Sequence, residues 1–142
     1  MKNHSSTKVI FYRVKDNSTK IHLICTKVQE AFKQEKRLLI AVPNLQAAQY
    51  IDALLWRTPA ESFLPHIIAD TPTPEWVVIT MQEQNNINQA PHLLNLCPTP
   101  SALYQQAEEV YDLYDETHSQ KTELSQQRMH FYQAKGLVVN CQ

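Results

Sequence analysis

The fold is decided by residues 37–66. They read Arg37-Leu-Leu-Ile-Ala-Val42-Pro-Asn44, then Leu45-Gln-Ala-Ala-Gln-Tyr50-Ile-Asp-Ala-Leu54-Leu-Trp-Arg57, then Thr58-Pro-Ala-Glu-Ser-Phe63-Leu-Pro-His66. The first piece is a continuous apolar run, the pattern of a strand buried on both faces of a parallel sheet. Pro43 ends it, and Asn44 can cap a helix. Ala47, Ile51, Leu54 and Leu55 then recur at helical spacing over about 45–57. Pro59 stops that helix. Each proline fixes its own φ and pushes the residue before it out of the α region, so Thr58 and Leu64 are expected to be extended. Trp56 and Phe63 therefore flank a stiff turn, which suits either a core corner or a recognition surface.

Upstream, Lys8–Val14 is short, β-branched and aromatic, and reads as a strand. Asp16-Asn17-Ser18 is a turn, with Ser18 as the expected cap of a helix over about 19–35. Its apolar positions are Ile21, Ile24, Val28, Ala31 and Phe32, and its cationic end is Lys33, Lys36 and Arg37. Strand, helix, strand, helix in that order implies right-handed crossovers and a three-layer α/β domain with a mixed, mostly parallel sheet.

Downstream, short strands are expected at 66–69, 76–81 and 92–96, with loops at 70–75 and 82–91. Ser101 is expected to cap a short helix to about Ala107, and Glu109–Tyr114 reads as a strand. A last helix spans 117–135, with Thr117 and Gln120 as its capping box. Gly136 falls where a left-handed residue ends a helix, and Leu137-Val138-Val139 packs back as an extended tail. Residues 1–7 are expected to be flexible.

Composition narrows the function. The 142 residues suit one domain, with 43% hydrophobic and 19% charged residues. No apolar run approaches the ~20 residues of a membrane span, and no apolar stretch follows the N-terminal Lys2, so a cytoplasmic location is expected. The net charge of -1 hides a segregation: residues 1–40 carry nine Lys and Arg against three acids, and residues 41–116 one Arg against ten acids. There is a single glycine, Gly136. A phosphate-binding loop or dinucleotide fingerprint needs several, so the fold resembles nucleotide-binding folds without their phosphate loop.

Catalytic patterns are sparse. The six histidines form no metal-binding unit, although His66 follows the aromatic turn. Cys25, Cys97 and Cys141 lack disulfide or zinc spacing and read as small fillers; Cys97 as a nucleophile lacks an identifiable base. Glu108-Glu109 and Asp115-Glu116 read as solvated acidic edges, because neighbours on a strand point to opposite faces. In the last helix, Lys121, Leu124, Arg128, Tyr132 and Lys135 share one face. Such a face suits an acidic peptide with a hydrophobic end, or else packs on the core with cations at its rim.

The segment Leu55-Trp56, Pro59-Ala60-Glu61-Ser62-Phe63 and Pro65-His66, placed after a strand and a helix, resembles the chi subunit family of bacterial DNA polymerase III. The resemblance implies a non-enzymatic accessory subunit with no cofactor. It implies binding of the acidic C-terminal tail of single-stranded DNA-binding protein, which ends in Pro-Phe. In some bacteria it also implies a psi subunit that joins the clamp loader. Arg128, Tyr132 and Gly136 match the family's last helix. Gln126 and Gln133 stand where Arg is frequent, and Thr122 where Lys is common. The tail-binding candidates are thus Lys121, Leu124, Arg128, Tyr132, Lys135 and Gly136. Trp56, Phe63 and Pro65 are the candidates for contact with a partner subunit. No membrane contact or sequence-specific nucleic-acid contact is expected. Two other readings remain: a small hydrolase or transferase using the C-terminal edge of the sheet near Pro43, Cys97 or Asp70, and a single-strand binder using the basic segment from Lys2 to Arg37.

Overall fold

The computed structural model describes residues 7–57, 65–81 and 85–142. The expectations for residues 1–6, for the Thr58–Leu64 turn including Phe63, and for 82–84 lie outside them. Among the described residues, seven strands, β1 (Lys8–Val14), β2 (Leu38–Ala41), β3 (Ile67–Ile68), β4 (Val77–Thr80), β5 (His92–Asn95), β6 (Glu109–Asp115) and β7 (Val138–Cys141), form one sheet. Its order is β3-β4-β2-β5-β6-β1-β7, and every pairing is parallel. The helices are α1 (Asn17–Lys33), α2 (Leu45–Arg57) and α3 (Ser119–Ala134).

The order explains the layers. From β1 the chain moves toward the β3 edge, and α1 and α2 make those crossovers. Ile24, Val28, Ile51 and Leu55 bury one face with Ile40, Ile79 and Leu94. From β3 onward the chain moves the other way, so right-handed connections must lie on the opposite face. There Ile87, Ala90, Leu103, Ala107 and Tyr132 pack on Phe11, Leu39, Val78 and Val110.

Local chemistry sets the ends. Asp16, not Ser18, caps α1: its Oδ1 accepts from Thr19 N at 2.7 Å, and the helix starts at Asn17. Asn44 accepts from Ala47 N at 2.8 Å, as its position before α2 requires. The expected helix at 101–107 is only a 3-10 turn, Tyr104–Gln106. Thr7 Oγ1 contacts the carbonyls of Tyr104 and Ala107 at 3.2 and 2.7 Å, which holds the segment against the N-terminus of β1. Thr117 does not cap α3. Its N–H and hydroxyl both donate to Asp115 Oδ1, at 3.0 and 2.6 Å, and α3 begins at Ser119. Gly136 has φ +80°, the left-handed conformation that ends α3. The expected tail is longer than 137–139 and forms the edge strand β7 beside β1.

The apolar register of α3 is weak, and polar bonds fasten it. Arg128 lies flat on β6. Its Nε donates to Asp112 Oδ1 at 3.1 Å, Nη2 to Leu113 O at 2.9 Å and Ser125 Oγ at 3.1 Å, and Nη1 to Pro98 O at 3.1 Å. Asp112 is fully buried; it also accepts from Leu113 N at 2.7 Å and from Asn95 Nδ2 at 3.1 Å. Tyr132 is wholly buried, and its hydroxyl accepts from Ser101 N at 2.7 Å. One arginine thus ties α3 to β6, and Asp112 extends the tie to β5.

Two predictions follow from this attachment. Removing one partner of a buried ion pair strands the other, so Arg128→Ala is expected to lower the unfolding free energy by about 3–5 kcal/mol in urea denaturation. Tyr132→Phe, which orphans one buried N–H, is expected to cost about 1–3 kcal/mol. The pH dependence has two opposed parts. Burial pushes Asp112 up to about 6 from its ordinary 3.8, against the pull of Arg128. Its contribution is therefore complete below about pH 4 and is lost as pH rises through about 6. Burial alone would raise Asp115, but the Lys20 ammonium and the Thr117 donors outweigh it and hold the carboxyl below its ordinary value. Its contribution is present above about pH 4 and is lost as pH falls through the folded value. The stability gap between wild type and Asp112→Asn should narrow from about pH 4 to 7; that between wild type and Asp115→Asn should narrow on acidification below about pH 4.

A crevice at the C-terminal edge of the sheet

Adjacent strands whose connections leave on opposite faces open a crevice at their C-terminal ends. Here β2 exits to α2 while β5 exits to the other face, and β1 exits to α1 while its neighbour β6 exits to α3. A cavity of about 430 Å³ lies at this edge. From α1 come Lys20, Ile21 and Ile24, and from α2 come Ala47, Tyr50 and Ile51. The strand ends supply Val42, Leu96, Cys97, Leu113 and Asp115; α3 crosses the rim with Lys121, Leu124 and Arg128.

The wall is mostly aliphatic and the polar groups are few. Alternation along β6 aims Asp112 at α3 and Asp115 at α1. Lys20 Nζ donates to Asp115 Oδ2 at 2.7 Å, and their side chains are 25% and 8% exposed. Asp115 is therefore a buried member of the site and not the solvated edge that its pairing with Glu116 implies. Lys121 is exposed at the mouth, one turn before half-buried Leu124. Cys97 lies in the wall, its N–H donating to Asn95 Oδ1 at 3.2 Å. Among the described residues that line the cavity there is no histidine to serve it as a base. The arrangement can hold a ligand with an apolar end and negative charge near it.

The tail-binding candidates are distributed unequally. Lys121, Leu124 and Arg128 meet at the crevice. Tyr132 sits behind the wall in the core, on the aromatic cluster with Phe11, Tyr104 and Phe131. Lys135 and Gly136 are exposed at the far end of α3, with the Lys135 ammonium 5.3 Å from the Phe131 ring centre. The outward face of α3 presents Gln126, Gln127, His130 and Gln133, with no Lys or Arg among them. Lys20 and Asp115 stand 95 positions apart in the chain, so no spacing rule could have joined them.

The partner-contact candidates lie elsewhere. Trp56 lies in the last turn of α2 and is 52% exposed. Its ring packs on His66 at 4.5 Å between centroids, and His66 Nε2 lies 3.0 Å from Asp52 Oδ1. The two ends of the 57–65 segment are thereby clasped, with Pro65 exposed. Ile67, 40% exposed, lies at the β3 edge of the sheet, and Trp76, 42% exposed, directly precedes β4.

No helix among the described residues is long and apolar enough to cross a membrane, and among them no group of His, Cys, Asp and Glu could hold a metal ion. A stretch of 47 residues is 43% identical to the DNA polymerase III subunit chi of Escherichia coli (strain K12). That stretch covers 33% of this chain and 32% of that protein, so the match spans about a third of the relative's length. The family described as DNA polymerase III chi subunit, HolC, matches over residues 6–140, nearly the whole chain. The chain therefore belongs to the DNA polymerase III chi subunit family.

Proposed function

We propose that this protein is a non-catalytic accessory subunit of the bacterial replicase that links the polymerase or its clamp loader to protein-coated single-stranded DNA. It does so by taking the acidic C-terminal tail of single-stranded DNA-binding protein into the crevice. The observation that carries this reading is the composition of the crevice: an aliphatic wall of Ile21, Ile24, Ile51 and Leu96 beside Lys20 and Lys121. A peptide with aspartates and a terminal Phe complements both. The Phe side chain gains about 1.5–3 kcal/mol by leaving water. The rim cations supply a smaller, salt-screened attraction.

The position of Arg128 changes which cations matter. Four of its N–H bonds are internal, so it acts mainly as a wall, and the attraction falls to Lys121 and Lys20. The outer face of α3, with Glu123 beside Gln126, Gln127 and His130, offers an acidic peptide little. The second surface, Trp56 with Pro65, is the contact for psi or another clamp-loader subunit. It lies at the C-terminal end of α2, and the crevice lies against its N-terminal half, so both partners can be held at once.

The test is calorimetric titration with an Asp-rich peptide ending in Pro-Phe and a free carboxylate. A dissociation constant in the micromolar range, about -8 kcal/mol, is expected, weakening as salt rises. Lys121→Glu should weaken it roughly tenfold while leaving the melting temperature within a few degrees. Trp56→Ala should leave peptide binding unchanged and reduce co-purification with the clamp loader. Absence of heat with wild type, or equal affinity in Lys121→Glu, removes the crevice from the account.

A further inference from the structure

One cation of the crevice, Lys20, is already paired from inside. Lys20 stands on the first turns of α1 and Asp115 at the end of β6, and both line the cavity. Their 2.7 Å contact lies in a cavity that Ile21, Ile24 and Leu113 also line, where water is partly excluded and charge interactions are stronger than at an open surface. Asp115 does not depend on Lys20 alone. Its second oxygen, Oδ1, accepts the Thr117 N–H and hydroxyl at 3.0 and 2.6 Å. Lys20 can therefore leave without orphaning the carboxylate. The Lys20 side chain is 25% exposed, which makes it reachable from the crevice.

We propose that Asp115 stands in for the carboxylate of an acidic ligand on Lys20, so that a ligand carboxylate must displace it and Asp115 sets the affinity of the crevice. This rests on the reading of the crevice as an acidic-peptide site. Two effects act in one direction. Asp115 occupies the ammonium that the ligand needs, and its own negative charge repels a second carboxylate brought beside it. The crevice thus holds a built-in mask that lowers affinity for acidic ligands and keeps the complex exchangeable.

The proposal predicts a gain of function from removing a charge. Asn at 115 can still accept from Thr117 through its amide oxygen, but it neither masks Lys20 nor repels the ligand. Asp115→Asn is expected to bind the Asp-rich Pro-Phe peptide roughly threefold to tenfold more tightly than wild type, at equal salt. The gain should vanish in Lys20→Gln/Asp115→Asn. Circular dichroism establishes that each variant is folded. A second readout needs no variant: in wild type carrying ¹³C at aspartate carboxyls, the Asp115 resonance should shift as peptide saturates the protein. Tighter binding that depends on Lys20, together with that shift, supports the mask. Wild type that binds while folded Asp115→Asn binds equally or more weakly overturns the mask and leaves the peptide site standing. An Asp115 resonance that does not move at saturation overturns the mask as well, whatever the variants do. Failure of both wild type and Asp115→Asn to bind overturns the peptide site and the mask together.

Discussion

The buried contact between Arg128 and Asp112 is the constraint on which the rest of the structure depends. A carboxylate in the middle of a central strand is costly unless several donors meet it. Here a guanidinium, an amide side chain and a backbone N–H do so. The result is an attachment with direction. Asp112 fixes which face of α3 meets the sheet, and Asn95 brings β5 into the same bond set. Arg128 reaches on to the carbonyls of Leu113 and Pro98. The start of α3 is thereby held across the strand ends, where it forms one side of the crevice. The residues that look most suited to gripping a partner are thus the ones that build the wall. In the proposed function, gripping is left to their neighbours.

The shortage of glycine shapes the same edge. Folds of this type that bind nucleotides bring backbone N–H groups up to phosphate through a glycine-rich turn after the first strand. Here that turn is Lys15-Asp16, and Asp16 caps the helix with its own carboxylate. The N-terminus of α1 is therefore occupied by a side chain of the protein. The crevice nearby is lined by aliphatic and cationic side chains instead of bare backbone. A peptide with an apolar end, as in the proposed function, suits that lining better than a polyphosphate does.

Much of the architecture was legible because it rests on patterns of one or two residues. The unbroken run through β2 announced a strand buried on both faces, Asn44 and Gly136 marked helix ends, and α2 showed its stripe directly. Errors arose where two polar residues competed for one backbone task. Asp16 outbid Ser18 because its carboxylate reaches Thr19 N. Thr117 was unavailable as a cap because Asp115, from the preceding strand, had already engaged it. The segment at 101–107 stops at a single 3-10 turn, with the Thr7 hydroxyl on its carbonyls. The site was harder to read. The buried side of α3 is made of Ser125, Arg128 and Tyr132, which meet polar partners on β6 and, for Tyr132, at Ser101 N, that periodicity cannot see. The Lys20–Asp115 contact joins residues at opposite ends of the chain. Lys121, Leu124 and Arg128, which share a face by their spacing, all line the cavity.

The central claim is that contact falls to the crevice between α1, α2 and the start of α3, and not to the outward side of that last helix. Mapping amide ¹H–¹⁵N shifts during titration with the Asp-rich Pro-Phe peptide tests it most directly. The account predicts that the largest changes fall at Lys20, Ile21, Ile51, Leu96, Lys121 and Leu124, with Gln126, His130 and Gln133 unmoved. Changes concentrated on Gln126, His130 and Gln133, with the crevice residues still, would contradict it.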